Sequence, residues 1–173
     1  MSLLTRRRRV RLSRHRTAAS PFGPVRISHD RWPSVIVHVE GPGMPAVTVL
    51  PGRGLSVDGR RVPARQGVGS GWDLRRKARA CTARVGDRDY LLRPTGLFRA
   101  RLLRDGTPIA GVRGGLRSYS PVRTLPGIDA RLDWAPGVDP TDVAVGQAMV
   151  VAFGAGAPGA LARLFLFWLE FWQ

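Results

Sequence analysis

The sequence predicts one small, arginine-rich, mainly antiparallel β domain that ends in very apolar, helix-forming sequence. Three observations predict it. The 173 residues include 21 glycines and 14 prolines, about one residue in five, which breaks long helices and favours short strands joined by turns. Between these breakers stand β-branched runs and runs that alternate apolar with polar residues, the period of a half-buried strand. Past residue 139 the character changes to two stretches that are apolar on nearly every side.

Residues 1–20 form a basic arm, with Arg6–Arg9, Arg11, Arg14 and Arg16 repelling one another and little apolar surface to bury, so this arm is expected to be disordered. A single β-rich domain is expected over 21–173. Ser34–Val39 and Ala46–Leu50 read as strands, separated by the Gly41-Pro42-Gly43 breaker. Leu55–Val57, an Asp58-Gly59 turn and Arg60–Val62 read as a hairpin, followed by a glycine-rich loop from Gln66 to Gly71. The clearest region is 72–114. Leu74–Val85 alternates loosely and turns at Gly86-Asp87 into Tyr90-Leu91-Leu92. Leu97–Leu103 then places Phe98, Ala100 and Leu102 on one face and Arg99 and Arg101 on the other, and Asp105-Gly106 turns the chain back into Ile109–Val112. Asp129–Trp134 supplies a last strand. Asp139-Pro140-Thr141-Asp142 starts a helix, with a capping aspartate and an early proline, that continues through 143–153. Gly154–Gly159 breaks it, and 160–172 reads as a second helix whose only charges are Arg163 and Glu170.

The order of these pieces resembles the tubby-like C-terminal fold in its LURP-one-related, scramblase-like form. The resemblance covers about residues 72–153 and rests on Trp72–Lys77, Arg88–Pro94, Leu97-Phe98-Arg99, the Asp105-Gly106 turn and the apolar helix near 142–153. It implies a closed antiparallel β-barrel around that helix. It also implies a non-enzymatic domain, since members of the family bind membranes or phosphoinositides or have no assigned activity, and no catalytic residue carries over. Residues 1–71 match the pattern poorly, and 160–172 extend beyond the single expected helix.

The formal net charge is +16. Lys77 is the one lysine among 28 basic residues, a ratio that a GC-rich coding sequence explains. The excess of base over acid is not explained that way and implies attraction to polyanions. It is segregated: 1–31 hold nine arginines against one aspartate, 72–127 hold 13 basic against four acidic residues, and 128–173 hold two against five. The best functional candidates are Arg75, Arg76, Lys77 and Arg79, with Arg75, Lys77 and Arg79 on one strand face that Arg99 and Arg101 extend. Such a strip can hold phosphates bidentately, though a solvated sheet face looks the same. Phe165, Trp168, Phe171 and Trp172 make the tail a candidate for contact with a membrane or a protein partner, against simple core packing.

Other motifs carry less. Gly154, Gly156 and Gly159 spell a dinucleotide fingerprint, but too few residues follow for the required strand and acid, so a helix-breaking turn is the better reading. Residues 143–162 are uncharged over the length of a membrane span, yet contain Gln147, Pro158 and four glycines. His15, His29 and His38 lack ligand spacing, so no metal is expected, and no cofactor either. Cys81, the single cysteine, excludes an intrachain disulfide and suits a cytoplasmic setting, with membrane association left open. The leading expectation is a non-enzymatic domain on an anionic lipid surface. The rivals are nucleic-acid binding through the same arginines and a protein-interaction module that homo-oligomerises through the tail.

Overall fold

The structure, a computed structural model, describes residues 14–30, 36–50, 54–67, 80–115, 127 and 130–156. Among the described residues, twelve strands make two antiparallel sheets of six. The first holds, in order, β1 (Arg14–Ser20), β2 (Gly23–Asp30), β3 (Ile36–Glu40), β4 (Val47–Leu50), β5 (Gly54–Val57) and β6 (Arg60–Val62). The second holds β7 (Ala64–Gln66), β8 (Cys81–Val85), β9 (Arg88–Pro94), β10 (Arg99–Arg104), β11 (Thr107–Arg113) and β12 (Arg131–Trp134). Each strand pairs with its sequence neighbour, so the sheets are two meanders, followed by the helix α1 (Pro140–Phe153).

The closed barrel implied by the family resemblance is not formed. Among the described residues neither sheet closes on itself, since β1 does not pair with β6 nor β7 with β12, and Pro63, which has no N–H to offer, stands between β6 and β7. Val62 ends its pairing with the first sheet, and Ala64 begins pairing with the second, so the chain changes sheets at a corner. The Pro63 carbonyl still accepts from Arg84 N–H at 3.0 Å. A second difference concerns the arm. Its last seven residues, Arg14–Ser20, are β1, paired residue for residue with β2 through a tight turn at Pro21-Phe22. The backbone ladder and the Ser20 hydroxyl, which donates to the Gly23 carbonyl at 2.7 Å, order a stretch whose charge alone argues for disorder. The strand Ala64–Gln66 also occupies the start of the segment expected to be a glycine-rich loop.

The core lies between the sheets. Val25, Ile27, Val37, Val39, Val47, Val49 and Leu55 point inward from the first sheet, and Cys81, Ala83, Tyr90, Leu92, Ala100, Leu102 and Val112 from the second. Helix α1 packs on β3, β4 and β9, with every residue from Asp142 to Ala152 buried. That explains a helix with no polar face: it has protein on all sides. The start is as the sequence predicts. Asp139 caps the helix, its side chain accepting from Asp142 N–H at 2.9 Å while the Asp142 carboxylate accepts from Asp139 N–H at 3.0 Å, and Pro140 fills the first turn. Gly154, at φ 89°, ends it. The helix expected over 160–172 lies outside the described residues, as does the strand expected to begin at Leu74. Among the described residues, no helix is long and apolar enough to cross a membrane.

One irregularity decides what the second sheet shows to solvent. Counting back from the Asp105-Gly106 turn, Leu103 pairs with Pro108, but Leu102 pairs with Ala110, so Ile109 is an extra residue in β11. Ile109 and Ala110 are both buried in succession, and alternation then resumes with Gly111 out, Val112 in and Arg113 out. Without the bulge the parity of β11 is reversed, which puts Val112 in solvent and Arg113 in the core.

Candidate anion-binding surface

The outer face of the second sheet carries two cross-strand rows of arginine. In the first, Arg99 of β10 pairs with Arg113 of β11, which pairs in turn with Arg131 of β12. In the second, Arg93 of β9 pairs with Arg101 of β10. All five side chains are exposed. Directly opposed residues on one face have Cβ atoms about 5 Å apart, a spacing at which like charges destabilise the sheet. Compensation is slight. Arg113 lies 3.6 Å from Asp133, a pair about 70% exposed on each side and so worth little. No carboxylate among the described residues pairs with Arg93, Arg99, Arg101 or Arg131.

The position of these rows along the sheet follows from the helix. Asp139 and Asp142, where α1 begins, contact Arg88, Tyr90 and Arg104 beside the turns at one end of the sheet. Where α1 finishes, Gly156 lies against the carbonyls of Gly96 and Leu97, after β9. The helix therefore runs parallel to β9. Arg93, Arg99, Arg113 and Arg131, at the end of β9, the start of β10, the end of β11 and the start of β12, all belong to the end where α1 finishes. Gly67 and Ala80, joined by a 3.0 Å hydrogen bond, flank residues 68–79 and sit beside Leu92 through Cys81 at this same end.

Of the sequence-predicted site residues, Arg99 and Arg101 are thus exposed neighbours on one face of β10, as the alternation requires. Arg75, Arg76, Lys77 and Arg79 lie outside the described residues, and so do Phe165, Trp168, Phe171 and Trp172. The described residues Gly67, Ala80 and Gly156 belong to the arginine-bearing end. Arg93, Arg113 and Arg131 were not singled out from the sequence. The alternation of β9 signals Arg93, whereas Arg113 and Arg131 join the face only through the bulge and the pairing of β12.

A second polar cluster is buried and has a different character. The Asp142 carboxylate is fully enclosed and accepts from the Tyr90 hydroxyl at 2.8 Å, from Arg104, and at 3.5 Å from Arg88, which also binds Asp139. Burial and donation to Asp142 push the Tyr90 phenol well above its ordinary value. Asp139 behaves oppositely: burial raises it, but the Asp142 N–H and the Arg88 guanidinium prevail and hold it below 3.8. Every acceptor is used within the protein, so the cluster ties the start of α1 to β9 and β10 and offers no open position to a ligand.

The remaining motifs resolve as structure. Gly154 turns the chain out of the helix, and Gly156 has backbone against it where a nucleotide needs space. His38 Nδ1 lies 3.1 Å from Thr48 Oγ1 on the outer face of the first sheet. Cys81 is buried, and desolvation lifts its thiol to about 11 against a smaller opposing contribution from the Gly67 backbone. With so little thiolate at pH 8, iodoacetamide is expected to label Cys81 only after denaturation. Rapid labelling of the folded protein, followed by mass spectrometry, would contradict this placement.

No family model, curated protein or solved structure matches this chain.

Proposed function

We propose that this is a non-enzymatic domain that docks on an anionic membrane surface through the arginine-bearing end of its second sheet. The observation that carries the proposal is the pair of arginine rows, Arg99–Arg113–Arg131 and Arg93–Arg101, kept at contact spacing with almost no acidic compensation. A sheet pays a small stability penalty for such rows, which an external layer of phosphates removes. Guanidinium groups suit that layer because each offers two parallel donors to one phosphate.

Two further features support a membrane over a nucleic acid. The sequence also carries the basic residues Arg75, Arg76, Lys77 and Arg79 and the aromatic residues Phe165, Trp168, Phe171 and Trp172. Basic residues beside interfacial tryptophans are the composition of a peripheral membrane contact. The arginine face also has no aromatic side chain among its described residues on which a base would stack.

Flotation with phosphatidylcholine vesicles, with and without phosphatidylserine, tests the proposal. Binding is expected only to the anionic vesicles and is expected to weaken as salt rises. Failure to bind anionic vesicles at low salt, with salt-sensitive binding to duplex or single-stranded nucleic acid instead, would replace this reading by its rival.

A further inference from the structure

We infer that the arginine face contains one discrete seat for a phosphate group, centred on Gly111. The inference deepens the membrane reading, since it concerns the same face, but it makes a separate claim: a defined site within the charge. Gly111 lies on β11 with its outward side exposed, between Arg101 on β10 and Asp133 on β12, its register partners. Arg113 follows two positions along the same face, and Arg99 and Arg131 are the register partners of Arg113. Four arginines therefore flank, on two sides, a position that has no side chain, and Asp133 borders it on a third.

The glycine is not demanded by the backbone. Gly111 is absent from the residues of positive φ, and a Cβ placed on it meets only Asp133 Cβ, at an ordinary 4.0 Å. A strand interior disfavours glycine, which marks a place where something approaches the backbone closely. A dent bordered by arginines on two sides suits a tetrahedral oxyanion, whose oxygens can take paired donors from more than one direction. The chemistry recognised is a phosphomonoester or inorganic phosphate, borne by a lipid headgroup or free in solution. Asp133, paired with Arg113 at 3.6 Å, is the one carboxylate at the rim and competes with such a ligand.

The test uses the full chain and three ligands: inorganic phosphate by calorimetry, and flotation on phosphatidylcholine vesicles carrying phosphatidic acid or, at equal charge, phosphatidylserine. Gly111→Val fills the dent without altering charge, and it is expected to fold because valine suits an exposed strand position. Saturable binding of one phosphate per chain is expected, weakened about tenfold by Gly111→Val and by Arg101→Gln, and strengthened severalfold by Asp133→Asn. Preference for phosphatidic acid that Gly111→Val abolishes assigns the seat to a lipid headgroup. Phosphate binding without vesicle binding assigns it to a free phosphate and overturns the membrane reading alone. Vesicle binding that ignores both the headgroup and Gly111→Val, with no saturable phosphate binding, overturns the seat and leaves the membrane reading standing. Loss of both in the wild type overturns both.

Discussion

Replacing Asp142 by alanine is expected to destabilise the protein by about 3 kcal/mol and to lower its melting temperature by roughly 10 °C. The carboxylate is wholly enclosed and serves four donors: the Tyr90 hydroxyl, Arg104, Arg88 and the Asp139 backbone N–H. Its removal leaves the Tyr90 hydroxyl without the acceptor for its proton and opens the capping box. Arg88 and Arg104 keep 35% and 27% of their side-chain surface exposed, so each turns partly to water, which places the cost at the lower end of the range for a broken buried pair. Tyr90→Phe deletes one hydrogen bond of the set and should cost about 1 kcal/mol. Thermal or urea unfolding of the two variants gives the comparison, and an Asp142→Ala protein that melts with the wild type would show that the cluster holds nothing. The acid limb has a definite sign. Asp139 is held below its ordinary value in the folded state, so its contribution is present above about 4 and is lost as pH falls through the depressed folded value.

Gly127→Ala should be at least as damaging, at about 3 kcal/mol or more. The buried Gly127 donates its N–H to Val151 O at 3.3 Å, and a Cβ there would overlap the Val150 carbonyl and approach Val151 Cα at 3.0 Å. Those are helix backbone atoms, and only separation of the 127 segment from α1 relieves the clash. Gly146 offers the useful contrast. Its Cβ would strike Leu102 Cδ2 and come within 3.0 Å of the Trp134 ring, both ends of side chains that can shift, so Gly146→Ala should cost about 1–2 kcal/mol. Gly111→Ala, whose Cβ meets only Asp133 Cβ at an ordinary 4.0 Å, should cost nothing measurable. Chemical denaturation of the three variants therefore has an expected order, and a Gly127→Ala protein as stable as Gly111→Ala would contradict the close packing of α1 described above.

Much of the second sheet was legible because its signals are local. The alternation of Leu97–Leu103 fixes which face of β10 is basic, and the Asp105-Gly106 and Gly86-Asp87 turns fix the meander. The helix start was legible because a capping box is written within four residues. The failures have a common physical origin in contacts that join distant parts of the chain. Whether a meander closes into a barrel depends on strand pairing across its ends, and here Pro63 divides the strands between two open sheets. Charge in the arm argued for disorder, while pairing with β2 orders Arg14–Ser20. The side-chain donors to Asp142, from Arg88, Tyr90 and Arg104, come from 38 to 54 positions away, beyond any local pattern. The arginine face was half legible: Arg99 and Arg101 follow from alternation, but Arg113 reaches it only because one extra residue, Ile109, shifts the register of β11.

The central claim, that these arginine rows engage an anionic membrane, is tested most directly by vesicle flotation of the wild type against a variant with Arg93, Arg99, Arg101 and Arg113 all changed to glutamine. The four side chains are exposed, so the variant should fold and unfold like the wild type. At ~1 kcal/mol for each basic group at an anionic surface, affinity for phosphatidylserine-containing vesicles should fall by about two to three orders of magnitude. An unchanged affinity in a folded variant would contradict the account.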